Sequence, residues 1–371
     1  MPLRIGVIGT GHLGRFHAKL VSEVPQATLV GVADPVEEAC QRVAKECNTR
    51  AFADFREMLP LIDAAIVATP TRFHHAVGMQ LLNSGIHLLM EKPLALCRQE
   101  CDELVELAAK NALTLQVGHI ERFNPALAQA MPYIREPKYI EAARYSGYTF
   151  RSMDIGVVMD LMIHDLDVAM ALVGSPVESV AAVGLPVIGT LEDVAQARLT
   201  FANGSVANLS ASRCSYHPAR TMQVWSSCGH VSIDYSTRSA VVAQPAEILR
   251  SGEFSPESLP MEERARLKDR IFEELIPLHR IEVDARNSLF DEQHDFVESI
   301  LQGREPRVSG SQGRDVVAVA EQILQAIAAN QWNVAATDAE AIPANTPPSI
   351  LRGPHWQRSP QVAPAERKRP A

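Results

Sequence analysis

Apolar residues recur with two different periods along this chain, and the change of period divides it. Leu3 to Ile8 is a short apolar run that leads into Phe16, Leu20, Val21 and Val24 at helical spacing. Ala27 to Ala33 is a second run, and Ala64 to Ala68, His87 to Met90 and Leu113 to Val117 follow it. Helical patterns around Phe73 to Leu82 and Glu100 to Ala109 separate these later runs. Short unbroken apolar runs alternating with helices predict a doubly wound parallel sheet, an α/β domain over residues 1–120.

From about Lys138 the pattern becomes strict alternation. Ala195, Ala197, Leu199 and Phe201 share one face, with Gln196, Arg198 and Thr200 on the other, and Asn203-Gly204 reads as a hairpin turn into Val206 to Ala211. With Val177 to Leu185, Met222 to Trp225 and His230 to Asp234, this predicts a mostly antiparallel open sheet of at least five strands, an α+β domain over 121–335. One strongly helical piece, Gly156 to Leu172, interrupts it and stops at Gly174. Residues 253–286 are charged and read as a solvated helix, while Ser288 to Leu301 and Gly313 to Ala328 read as helices returning over the domain junction. The stretch 343–371, rich in proline and basic residues without apolar periodicity, reads as a disordered tail.

The junction between the first run and the first helix carries the first candidate chemistry. Gly9-Thr10-Gly11-His12-Leu13-Gly14 lies between them, and Asp34 closes the second run twenty positions after the last glycine. Strand, G-x-G-x-x-G turn, helix, strand and acid in this order form the Rossmann dinucleotide fingerprint. Gly9 permits the tight turn, Gly11 lets backbone amides approach a pyrophosphate, and Gly14 lets the helix pack closely. Asp34 is placed to accept from the adenosine ribose hydroxyls, and Pro35 rather than an arginine follows it, which favours NAD over NADP. Ligands of such sheets gather beyond the carboxyl ends of strands. That adds Thr69, Pro70 and Glu91-Lys92-Pro93 to the cofactor edge, with His74 beside them and Gly118-His119 at the last strand end.

Composition narrows the partners. A formal charge of -9 gives no basic face for nucleic acid, and no apolar run approaches the length of a membrane span. MPLRIGVIG moves straight into a strand pattern without a secretory leader, so a cytoplasmic location is expected. The six cysteines form no CxxC pair and are expected as free thiols, and no ligand spacing predicts a metal.

In the second domain, Asp160 and His164 stand four apart on the predicted helix, which places the carboxylate where it would orient the imidazole. Arg122, Asn124, Tyr148 and Arg151 flank the predicted cleft as candidate substrate contacts, together with Lys92 and His164.

The fingerprint, Glu91-Lys92-Pro93 and the Gly-x-x-x-Asp-x-x-x-His helix from Gly156 together resemble the glucose-fructose oxidoreductase, inositol dehydrogenase and MocA family over about residues 3 to 330. The resemblance implies that the Lys-Pro pair has a cis or strained peptide, that the Asp/His helix faces the nicotinamide, and that Lys92, Asp160 and His164 are catalytic. Gly118-His119-Ile120-Glu121-Arg122-Phe123-Asn124-Pro125-Ala126, with Asp154 to Val158 and Asp160 to Asp165, is similar to the branch of that family that oxidises C3 of UDP-N-acetyl-hexosamines for lipid A and other envelope sugars. Either His164 or Lys92 would then be the base. A dehydrogenase or reductase of a free sugar, inositol or other small carbonyl compound, or a non-catalytic NAD sensor, are the alternatives. An unpaired apolar sheet face and the family likeness lead us to expect a homodimer or homotetramer.

Overall fold

The computed structural model describes residues 2–150 and 152–330; Arg151 and the segment 343–371 lie outside them. The first layer alternates β1 (Leu3–Ile8), α1 (His12–Val21), β2 (Ala27–Ala33), α2 (Glu37–Glu46), β3 (Arg50–Phe52), β4 (Ala64–Val67), α3 (His74–Asn83), β5 (His87–Glu91), α4 (Arg98–Lys110) and β6 (Leu115–Gly118). Its six strands run in the order β3-β2-β1-β4-β5-β6. All are parallel and buried under helices on both faces, which is why they read as unbroken apolar runs. The periodicity did not reveal α2 or β3, because α2 buries only Cys40, Val43 and Ala44 and β3 is a three-residue edge strand.

After α5 (Pro125–Ala130), the second layer holds β7 (Tyr139–Tyr145), α6 (Ile163–Val173), β8 (Val177–Leu185), β9 (Val194–Phe201), β10 (Val206–Ser212), β11 (Ala219–Ser226), β12 (Gly229–Asp234) and β13 (Ser239–Ala243). Then come α7 (Glu247–Arg250), α8 (Met261–Asp269), β14 (Leu278–Ile281), α9 (Ser288–Gln302) and α10 (Gly310–Ala329). Eight strands pair in the order β14-β13-β12-β11-β7-β10-β9-β8, antiparallel except for β7 with β10. The inner face buries Ala195, Ala197, Leu199 and Phe201 as the alternation predicts. The outer face is not the apolar surface expected: Glu141, Arg198, Asn208 and Gln223 share it with a row of Tyr139, Trp225 and His230 rings. Apolar burial alone therefore does not carry the expected oligomer.

Residues 253–286 are not one helix. Pro256, Pro260 and Pro277 break the segment into a turn, α8, a π turn at Ile271–Leu275 and the edge strand β14. The last two helices do return. Phe296 and Val297 of α9 join the core beneath β1 and β4, and Gly310 and Gly313 let α10 approach Leu115 and Val117. No helix among the described residues is long and apolar enough to cross a membrane.

Candidate active site

A cavity of about 1040 Å³ opens between the two sheets, walled on one side by the glycine turn and Asp34 and on the other by Lys92, Asp160 and His164. That volume is at the upper end of the range for small-molecule and cofactor sites. Gly9 takes φ +92°, and a Cβ on it would lie 2.6 Å from the Ala68 carbonyl oxygen. At Gly11 a Cβ would meet nothing within 4 Å, so the turn leaves an open cradle at the start of α1. Asp34 braces this cradle, accepting from the N–H of Thr10 at 2.7 Å and of Val36 at 2.9 Å. The hydroxyls of Thr10 and Thr69 beside it have no partner among the described residues. A glycine cradle at a helix N-terminus, an acid at the neighbouring strand end and orphaned hydroxyls fit a dinucleotide held by its pyrophosphate and ribose.

Lys92 leaves the end of β5, and its peptide bond to Pro93 is cis. Its ammonium donates to the Asp160 carbonyl at 2.6 Å and to Asp160 Oδ1 at 3.1 Å. Asp160 thus holds the lysine and does not orient His164. The helix begins with a π turn at Val158–Met162, and the wider winding rotates residue 160 out of line with residue 164. The lysine thus binds both the backbone and the side chain of this turn.

His164, at the start of α6, has an Nδ1 that is buried and without a partner, leaving Nε2 toward the cavity. Burial pushes its pKa well below the ordinary histidine value, and the positive charges of Lys92, Arg144, His119 and Arg220 push the same way. With no carboxylate on Nδ1, nothing favours the imidazolium, so the ring is neutral and able to accept a proton.

The remaining candidates divide. His12, Leu13, Thr69, Pro70, Glu91 and Tyr148 line the cavity. His74 does not: both its ring nitrogens are occupied by backbone carbonyls, of Pro93 at 2.8 Å and Thr69 at 2.9 Å, and it braces the wall from behind. Arg122 is tied to Asp167 and to the Arg307 carbonyl, away from the cleft. Asn124 caps α5, accepting from the Ala126 N–H at 3.0 Å, and is buried. Polar residues in a loop before a helix serve as caps as readily as they serve ligands.

Three arginines of the far wall were not foreseen. Arg144 binds Asp165 and Glu121, and Arg213 binds Asp193. Arg220 lines the cavity with no hydrogen bond or ion pair from its side chain among the described residues. A signal existed: Arg144 shares strand parity with buried Ile140 and Ala142, and Arg220 with Met222 and Val224, so both stand at inward positions.

Behind the cavity, burial drives Glu292 well above the carboxylate range, and the charges of Glu91 and Asp295 add to this. Both its oxygens lack partners among the described residues. A folded-state pKa above the unfolded value favours the native state at low pH, and this contribution is lost as pH rises toward the folded value. The parent should therefore lose stability relative to Glu292→Gln as pH rises above the ordinary carboxylate value of about 4.3, read from thermal melts from acid to neutral pH. Parallel curves would show that Glu292 titrates in the folded chain as it does in the unfolded one.

Comparison with known proteins agrees with this fold. A profile described as an oxidoreductase family with an NAD-binding Rossmann fold matches residues 3–119, and the GFO/IDH/MocA C-terminal domain matches 117–232. A UDP-N-acetylglucosamine 3-dehydrogenase of Acidithiobacillus ferrooxidans is 36% identical over 332 residues, 88% of this chain and 98% of that protein. Its solved structure superposes with a TM-score of 0.77 over 88% of this chain and 98% of its own. The scyllo-inositol 2-dehydrogenase (NAD(+)) of Bacillus subtilis is 34% identical over 232 residues, 57% of this chain and 68% of its own. A levoglucosan dehydrogenase solved with NADH and levoglucosan, 19% identical with a TM-score of 0.75, covers 89% of this chain and 98% of its own and shares the fold.

Proposed function

The chain belongs to the Gfo/Idh/MocA family of NAD-binding oxidoreductases, and from that premise we propose that it oxidises the C3 hydroxyl of a UDP-N-acetyl-hexosamine to a ketone, in the synthesis of lipid A or other envelope sugars. One observation carries the reading: Lys92 and His164 line the same cavity as the glycine cradle, so a hydroxyl held between them lies beside the dinucleotide. Bound NAD supplies the hydride acceptor. His164 Nε2 takes the hydroxyl proton, and the Lys92 ammonium, held by Asp160, donates to the same oxygen and stabilises its developing negative charge. The lowered pKa of His164, set by burial first, supports His164 rather than Lys92 as the base.

Two features support a nucleotide sugar over a free one. The relative named for that substrate matches along 98% of its own length, whereas the inositol relative matches along 68%. Arg220 also gives the substrate side an uncommitted cation suited to a diphosphate. In thermal melts with NAD present, UDP-N-acetylglucosamine and UDP should both raise the melting temperature, since a ligand at 100 times its dissociation constant stabilises by about 2.7 kcal/mol. A shift with myo-inositol or glucose and none with UDP would replace this reading by that of a free-polyol dehydrogenase.

A further inference from the structure

The lysine of the cavity is held at its tip by Asp160, and a second set of contacts, running from the cavity wall at Glu91 into the core, holds its root. Glu91 precedes it, and the Glu91 carboxylate is shared. Its Oε2 accepts from the backbone N–H of Lys92 at 3.2 Å, and its Oε1 lies 2.7 Å from Nε2 of His17. His17 is fully buried on α1, one turn beyond the glycine cradle. Its other ring nitrogen lies 2.9 Å from the Gln293 side-chain amide of α9.

The direction of these bonds can be worked out. Gln293 Nε2 also lies 3.3 Å from the His17 backbone carbonyl, which only accepts, so that atom is the amide nitrogen. It therefore donates to Nδ1 of His17. Nε2 of His17 then carries the proton and donates to Glu91. The result is two bonds that run one way, Gln293 to His17 to Glu91, with the Lys92 N–H donating to the same carboxylate from its other side; together they join the C-terminal helix, the cofactor helix and the lysine-bearing strand end. Glu91 stays ionised inside the protein: burial pushes its pKa up, but His17 and Lys92 outweigh this and hold it below the ordinary value.

We propose that His17 is a positioning residue for Lys92, acting through Glu91, and that it couples the helix under the dinucleotide phosphates to the placement of the lysine ammonium. The proposal rests on the reading of Lys92 as catalytic. Without the imidazole, a buried carboxylate keeps one partner fewer and must turn or take up a proton, and the Lys92 N–H loses its fixed acceptor. A displacement of about 1 Å at a group that must meet a reacting oxygen costs roughly 10²-fold in rate. The glycine cradle precedes His17 and is left intact.

The test compares the full-length parent with His17→Leu, His17→Gln and Gln293→Leu, using NAD and UDP-N-acetylglucosamine. His17→Leu should lower kcat by about 10- to 100-fold with KM and the NAD dissociation constant within about three-fold. His17→Gln, whose amide still offers a donor to Glu91, should recover most of the loss. In a Lys92→Met background, His17→Leu should lower kcat no further, because the group it positions is gone. An unchanged kcat in His17→Leu, no recovery with Gln, or an equal further loss in the Lys92→Met background each overturns the proposal. If His17→Leu does not fold, Gln293→Leu serves instead, and an unchanged kcat there overturns it equally. Lys92→Met separates the two readings: full turnover in that variant removes the catalytic role of Lys92 itself, whereas an inactive Lys92→Met beside an active His17→Leu refutes only the positioning.

Discussion

Lys92→Met and His164→Asn should each lower kcat/KM by about 10²- to 10⁴-fold, the range for a positioned acid or base, while NAD binds within about three-fold of the parent. Neither side chain belongs to the glycine cradle or touches Asp34, so the loss should fall on the chemical step. The pH profile distinguishes their parts. A base must be neutral to accept a proton, so activity is lost as pH falls through the pKa of His164. That pKa is lowered, by burial first and then by Lys92, Arg144, His119 and Arg220. The acid limb of kcat/KM in the parent should therefore lie below the ordinary histidine value of about 6.5, and it should be absent from the residual activity of His164→Asn. Steady-state rates from about pH 4.5 to 9 check this. An acid limb that persists in His164→Asn, with turnover within a few-fold, would move the base to another group.

The same residues show what the sequence makes legible and where it stops. Buried parallel strands and the glycine turn are local features written in consecutive residues, so β1 and β2 fall at Leu3–Ile8 and Ala27–Ala33 as read, and the antiparallel edge strand β8 also falls at Val177–Leu185 as read. Asp160 and His164 are also placed in the cavity. Their relation is different from the expected one, because an i, i+4 pairing assumes regular α winding and the helix enters through a π turn that periodicity does not register. Arg122 and Asn124 were candidates flanking the predicted cleft, yet Arg122 is consumed by Asp167, remote in sequence, and Asn124 by the local cap of α5 and by Glu121. Ion-pair partners of this kind are set by tertiary packing. Arg144 could have been suspected, since an arginine at an apolar-parity position of a buried strand demands carboxylates, and Glu121 and Asp165 supply them at 2.9 and 2.8 Å.

Gly14→Ala and Gly11→Ala should fail in different ways, and the contrast identifies what the glycine turn is for. Propensity alone favours alanine inside a helix by about 1 kcal/mol. At Gly14, on the first turn of α1, the new Cβ would overlap the Gly9 carbonyl oxygen, which is backbone and cannot swing aside. Opening the turn to admit it should reverse the sign and cost about 3 kcal/mol or more, visible as a lower melting temperature of the free protein, with NAD binding lost as the cradle deforms. At Gly11 nothing in the chain objects: the backbone is extended at φ -65°, and the added Cβ points into open space. Gly11→Ala should melt with the parent when free. It should nevertheless bind NAD about 10- to 100-fold more weakly, because the occupied volume is where a pyrophosphate must approach the backbone amides. Calorimetric titration with NAD, beside melts of both free variants, reads the difference. If Gly11→Ala binds NAD as the parent does, the phosphates lie elsewhere in the cavity, and the need for glycine at this position must come from something other than the ligand.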